Sequence, residues 1–88
     1  MFQVLLSRTF QKQFRDLPLE MQNRIRKNLK ELEKDPRTSR SGADIRQLKD
    51  TDPSKHRLRI GEYRIIYRIE DRSVLVIELF TRSRGYRE

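Results

Sequence analysis

The chain has no cysteine and a single histidine, His56. Without cysteine there is no disulfide frame and no thiolate metal site. One histidine and no spaced cluster of carboxylates on the exposed sheet face leave a metal without ligands, so no metal and no other cofactor is expected. A Ser-His-Asp arrangement is not suggested either, because the hairpin register described below turns His56 toward the apolar side. No apolar run approaches the length of a membrane span, and the N-terminus has no apolar stretch of the signal-peptide kind. The expectation is a cytoplasmic protein with no membrane partner. No internal repeat and no linker breaks the 88 residues, which are expected to form one domain over 1–88. Hydrophobic residues are scarce, 34% against 39% charged, so they must be placed efficiently. Their regular spacing argues against disorder.

What the chain does have is positive charge. Lys and Arg number 21 against 13 Asp and Glu, for a net charge of +8 and a pI near 10.4. Such a bias suits a polyanion or an acidic protein partner, where the plain alternative is a merely soluble surface. The stretch from Lys55 to Tyr67, K-H-R-L-R-I-G-E-Y-R-I-I-Y, shows how the charge is arranged. It reads as a tight hairpin turning at Gly61-Glu62, with glycine where the turn needs positive φ. Pairing outward from that turn sets Ile60 against Tyr63, Leu58 against Ile65 and His56 against Tyr67, all on one side. The other side collects Lys55, Arg57, Arg59, Arg64 and Arg68, with Ile66 as its apolar member. One face of the hairpin is apolar and the other is a cationic plate.

The remaining chain supplies a cover for the apolar face. Phe2 to Leu6 is short and β-compatible, and Ser7 can cap the helix that follows. Phe10, Phe14 and Leu17 recur at helical spacing, and Pro18 suits the first turn of a second helix. That helix carries Met21, Ile25, Leu29 and Leu32 on one stripe and ends near Asp35-Pro36. Residues 37–44 read as a loop, Ile45 to Lys49 as a short strand or extended segment, and Asp50-Thr51-Asp52-Pro53 as a turn. Val74 to Phe80 is almost continuously apolar, which predicts a central strand covered on both faces. Glu78 interrupts it, and its side chain has no assigned face without the length of the preceding turn. The fold class is α+β: an N-terminal strand, a helical hairpin, then an antiparallel β-meander, in the order β-α-α-β-β-β.

With the helices on the apolar face, the cationic plate is left to solvent. The tail carrying Arg82, Arg84 and Tyr86 leaves the last strand and can reach its rim. Guanidinium groups grip phosphates bidentately, and a tyrosine ring can stack on an unpaired base, a combination suited to single-stranded nucleic acid.

The order of elements, the hairpin pattern K-x-R-L-R-x-G-x-Y-R-x-x-Y and the C-terminal R-S-R-G-Y resemble the RelE/ParE superfamily of toxins over nearly the whole chain. The resemblance implies a RelE-like fold and a small basic toxin neutralised by an acidic, RelB-like antitoxin encoded beside it. RelE members enter the ribosomal A site, against rRNA, and cleave mRNA there without a metal, whereas ParE members poison DNA gyrase. Carried over by position, the hairpin lysine pair of RelE falls on Lys55 and Arg57 and the arginine after the turn on Arg64. The distal arginine falls on Arg82 or Arg84, and the distal tyrosine on Tyr86. Arg59 and Arg68 would add RNA contacts. Arg57 departs from the pattern, because a guanidinium stays protonated and is a poor general base.

The implied reaction is attack of a ribose 2′-hydroxyl on the adjacent phosphate with loss of the 5′-oxygen, an endoribonuclease of the mRNA interferase type. Arg64, with Arg82 or Arg84, suits stabilisation of the developing charge. Lys55, crowded by like charges that disfavour its protonated form, is a candidate for proton exchange. Tyr86 can stack or assist proton transfer. A gyrase inhibitor acting by protein contact and a non-catalytic nucleic-acid-binding module are the two alternatives.

Overall fold

Gly61 has φ +59°, a conformation that a residue without Cβ adopts freely. From this turn, Ile60 pairs with Tyr63, Leu58 with Ile65 and His56 with Tyr67, the register read from the sequence. The computed structural model describes residues 1–49 and 55–81. The turn expected at 50–53 and the distal Arg82, Arg84 and Tyr86 lie outside the described residues.

The elements are β1 (Gln3–Leu6), α1 (Arg8–Arg15), α2 (Leu19–Lys34), β2 (Asp44–Gln47), β3 (Lys55–Ile60), β4 (Tyr63–Glu70) and β5 (Ser73–Thr81). They form one five-stranded sheet in the order β1-β5-β4-β3-β2, with β1 parallel to β5 and all other pairs antiparallel. The fold is α+β as expected, with one strand more than β-α-α-β-β-β. The segment around Ile45 is a full edge strand, because Ile45 is buried opposite Leu58 and so anchors it to the core.

Local chemistry explains the helix boundaries. The Ser7 hydroxyl accepts the Phe10 N–H at 3.0 Å and caps α1. Pro18 sits one position earlier than expected, at the N-cap of α2, where it offers no side-chain cap. Its carbonyl accepts the Gln22 N–H, and the Gln22 side-chain amide donates to the carbonyls of Phe14 and Leu17, tying the two helices together. Beyond α2, the Arg40 guanidinium donates to the carbonyls of Glu31 and Asp35 at the helix end and to that of Thr38 in the loop.

The helices bury Phe10, Ile25 and Leu32 against Leu58, Ile60, Ile65, Tyr67, Val74, Val76 and Leu79. Phe14, Met21 and Leu29 pack at the margin. Tyr67 is fully buried, and its hydroxyl donates to the Pro36 carbonyl at 2.6 Å. Burial pushes the Tyr67 phenol well above its ordinary range, so it donates as a neutral hydroxyl. Tyr67→Phe keeps the ring but orphans that carbonyl, and urea unfolding is expected to show a loss of about 1–3 kcal/mol. A loss below about 0.5 kcal/mol would mean that the carbonyl finds another donor once the hydroxyl is gone.

β5 departs from simple alternation. From the two-residue turn at Asp71-Arg72, its pairing with β4 is regular as far as Tyr67 opposite Val76, and then shifts so that Ile66 faces Glu78. Val74 and Val76 face the helices, and strict alternation would send Glu78 beneath them too. The extra residue, Ile77, reverses the phase: Leu79 enters the core opposite Ile65, and Glu78 emerges on the open face. A lone carboxylate buried under the helices would cost several kcal/mol, so the bulge is the lower-energy solution. β1 ends at Leu6, so among the described residues no strand flanks this half of β5 on the edge opposite β4. There the Ser7 hydroxyl donates to the Ile77 carbonyl, and the Gln13 side-chain oxygen accepts the Leu79 N–H at 2.6 Å. β5 is therefore interior by pairing, and among the described residues the helices cover one of its two faces. Helices cover Val74, Val76 and Leu79, while Leu75, Ile77 and Phe80 on the other face are partly exposed.

Candidate nucleic-acid interface

The register sorts the open face into rows across the sheet, three of which carry its cations. Nearest the Gly61 turn lie Asp44, Arg59, Arg64 and Phe80. The middle row is Arg46, Arg57, Ile66 and Glu78. The third is Lys55, Arg68 and Leu75, which β1 extends with Leu5. Lys55, Arg57, Arg59, Arg64 and Arg68 thus share the side the helices leave bare, as the hairpin pattern requires. Whether Arg82, Arg84 and Tyr86 join them lies outside the described residues.

The face differs from a uniform cationic plate in two respects. First, its cations are unequally available. Arg59 is exposed and Arg64 and Lys55 are half-buried, but Arg57 is only 7% exposed, with its Nη2 3.4 Å from Asp44 Oδ1. Arg68 Nη2 lies 2.9 Å from Glu70 Oε1. Second, β5 contributes an aromatic, Phe80, opposite Arg64 and a carboxylate, Glu78, two strands from Arg57. Both were missed in the sequence because the bulge decides their side. The available signal was Glu78 itself: a charge at the alternation phase of Val74 and Val76 implies an inserted residue before it. Among the described residues, no group of three or more His, Cys, Asp or Glu side chains could hold a metal. No helix among them is long and apolar enough to cross a membrane.

His56 lies on the helix side, stacked on Tyr67 at 5.4 Å between centroids and 18° between planes. Desolvation, then the charge of Arg37, holds its pKa below the ordinary 6.5. In the unfolded chain it takes up a proton first, so this contribution to stability is present above about pH 6.5 and is lost as pH falls through the folded value. Urea midpoints are expected to decline between about pH 7.5 and 5, and His56→Phe should flatten that slope. A wild-type slope unchanged in the variant would assign the decline to other groups. Glu31 and Asp35, whose carboxyls are held below their ordinary values chiefly by hydrogen bonds from Lys34 and the Arg37 backbone, lose their contributions at lower pH.

A second surface lies on the helical side. Leu6, Phe10, Gln11, Phe14, Arg15, Arg26 and Leu29 line an open groove of about 430 Å³. Its floor is apolar, and the Arg26 guanidinium sits 5.2 Å above the Phe14 ring.

A family model described as the ParE toxin of type II toxin-antitoxin systems, parDE, matches residues 4–86. The chain belongs to this family of toxins, within the RelE/ParE superfamily. Among solved structures it is similar to a chain of the archaeal RelE-RelB complex from Pyrococcus horikoshii OT3, with a TM-score of 0.81 and 26% identity over 96% of this chain and 98% of that one. The RelB-RelE antitoxin-toxin complex from Methanococcus jannaschii matches with a TM-score of 0.76 and 21% identity over 91% and 92% of the two chains. The intact E. coli RelBE complex matches at 0.64 and 23% over 92% and 96%. The latter two likenesses bear on the fold alone. No curated protein matches the chain.

Proposed function

We propose that this toxin is a ribosome-dependent mRNA endonuclease acting in the A site, where rRNA and mRNA are its polyanionic partners. The observation that carries the reading is the clustering of Arg59, Arg64, Arg57 and Lys55 beside Phe80 on the sheet face opposite the helices. Phosphate oxygens would be gripped by Arg64 and Arg59, with an unpaired base against the Phe80 ring. In the reaction a 2′-oxygen bonds to phosphorus and the 5′-oxygen departs. Arg64, with Arg82 or Arg84, stabilises the charge gathering on the phosphoryl oxygens, and Lys55 donates the proton that the leaving oxygen requires. Arg57, sunk beside Asp44, holds the middle of the face in shape and supplies charge to it. Tyr86 stacks or relays a proton. Arg68, already paired with Glu70, contributes to RNA attraction at the far row. No step uses a metal. Free in solution the toxin would cleave weakly, since the ribosome orients the RNA.

The test is toeprinting on programmed ribosomes. RNA ends at the A-site codon with wild type, absent with Arg64→Ala, support the reading. The family model's ParE description favours a second reading, gyrase inhibition by protein contact. Gyrase-dependent DNA breaks with intact mRNA would select it.

The partner we propose for neutralisation is an acidic, amphipathic antitoxin segment of RelB type. Its apolar side would fill the groove at Leu6, Phe14 and Leu29, and its carboxylates would meet Arg15 and Arg26. The complex is expected to form in the cytoplasm, where the toxin's ribosomal target resides.

A further inference from the structure

We infer that Glu78 is the proton acceptor for the attacking 2′-hydroxyl, an inference that rests on the nuclease reading above. The open face is crowded with groups that are protonated at neutral pH and cannot take a proton there: guanidiniums stay charged, and an ammonium must first give its proton up. Three carboxylates share that face. Asp44 is held by Arg57 and Glu70 by Arg68. Glu78, by contrast, has no hydrogen-bond or ion-pair partner for its carboxylate among the described residues.

Its position is constructed rather than incidental. The bulge at Ile77 turns Glu78 out of the core, and Ser7 and Gln13 from the helical side satisfy the backbone groups of that distorted edge. Once out, Glu78 is the end of the middle row. Ile66, 2% exposed, lies between it and Arg57 as an apolar floor. At about 4.8 Å per strand, the Glu78 and Arg57 backbones stand about 10 Å apart. Arg64 is its diagonal neighbour on β4, about 7–8 Å away. In this assignment the ribose and its 3′-phosphate lie across the row at Ile66, with the sugar toward Glu78 and the phosphate toward Arg64 and Arg57. Lys55, one row along and two strands away, is about 12 Å from Glu78 between backbones, on the opposite side of such a phosphate.

The step balances without further reagents. The Glu78 carboxylate takes the 2′-hydroxyl proton as the 2′-oxygen forms its bond to phosphorus. The bond from phosphorus to the 5′-oxygen breaks, and the departing oxygen takes a proton from the Lys55 ammonium. The products are a 2′,3′-cyclic phosphate and a 5′-hydroxyl, and the two side chains exchange protons with solvent to reset.

The experiment is single-turnover cleavage on programmed ribosomes as a function of pH, with wild type, Glu78→Gln and Glu78→Ala. Glu78→Gln keeps the shape, and its rate is expected to fall about 10²–10⁴-fold. The limb in which the wild-type rate falls as pH drops should disappear from its profile. Added formate should restore Glu78→Ala in proportion to concentration, and small carboxylates of greater basicity should restore it faster, a dependence that a mere countercharge would not give. Glu78→Gln cleaving within about threefold of wild type with the same profile, or Glu78→Ala deaf to formate, overturns the inference while leaving the nuclease reading intact. Absence of A-site ends with wild type itself overturns the underlying reading, and this assignment with it.

Discussion

Arg64→Ala is expected to slow A-site cleavage by about 10²–10³-fold, the usual loss when one donor to a developing oxyanion is removed. Arg64 stands on β4 between Arg59 on one side and Phe80 on the other, so it faces the place where a phosphate would rest. It lies on the side away from the helices, and truncating it empties no core volume. The urea midpoint should therefore move by no more than about 0.5–1 kcal/mol in equivalent stability, which separates chemistry from folding. Arg64→Lys should recover part of the rate, since it keeps the charge and loses the planar fork. Undiminished cleavage by Arg64→Ala would remove the sheet face from the reaction, and gyrase assays would become the next measurement.

The second large effect concerns stability. Phe10→Ala is expected to cost about 3–5 kcal/mol, much of the 5–15 kcal/mol that holds an ordinary domain together. Phe10 is 1% exposed and is the residue by which α1 enters the core. Its removal opens a cavity beneath a helix of only eight residues, too short to persist without packing. Phe14, half-buried at the groove, provides the internal comparison. Its replacement should cost distinctly less stability but weaken binding of the antitoxin segment, because Phe14 and the Arg26 above it form part of the groove wall. Thermal unfolding alongside titration with purified antitoxin measures both. Equal losses of stability from the two substitutions would show that α1 is held by its margin as much as by its single buried ring.

The two halves of the sheet differ in how far local pattern reached. In β3 and β4 a glycine turn sits between strictly alternating residues, so pairing follows from counting outward, and every side chain from Lys55 to Tyr67 lies on its expected face. The helical stripe of Ile25 and Leu32, the Ser7 cap and the stop at Asp35 are likewise short-range consequences of residue type. In β5 the same counting fails at Ile77, because a bulge depends on what the neighbouring strand and helix offer: Leu79 gains a place opposite Ile65, Glu78 avoids desolvation, and Ser7 and Gln13 satisfy the backbone. None of those partners is close in sequence.

The amino-acid order by itself determined the α+β architecture, the hairpin register and the family likeness, since each follows from periodicity or from a contiguous motif. Only the tertiary structure decided that β1 lies parallel beside β5, that Arg57 is sunk against Asp44, and that Glu78 and Phe80 stand among the arginines. Those outcomes depend on contacts between separate elements, from 13 residues apart for Arg57 and Asp44 to 70 for Ser7 and Ile77, where burial and hydrogen bonding choose among arrangements that local propensity leaves nearly equal in energy.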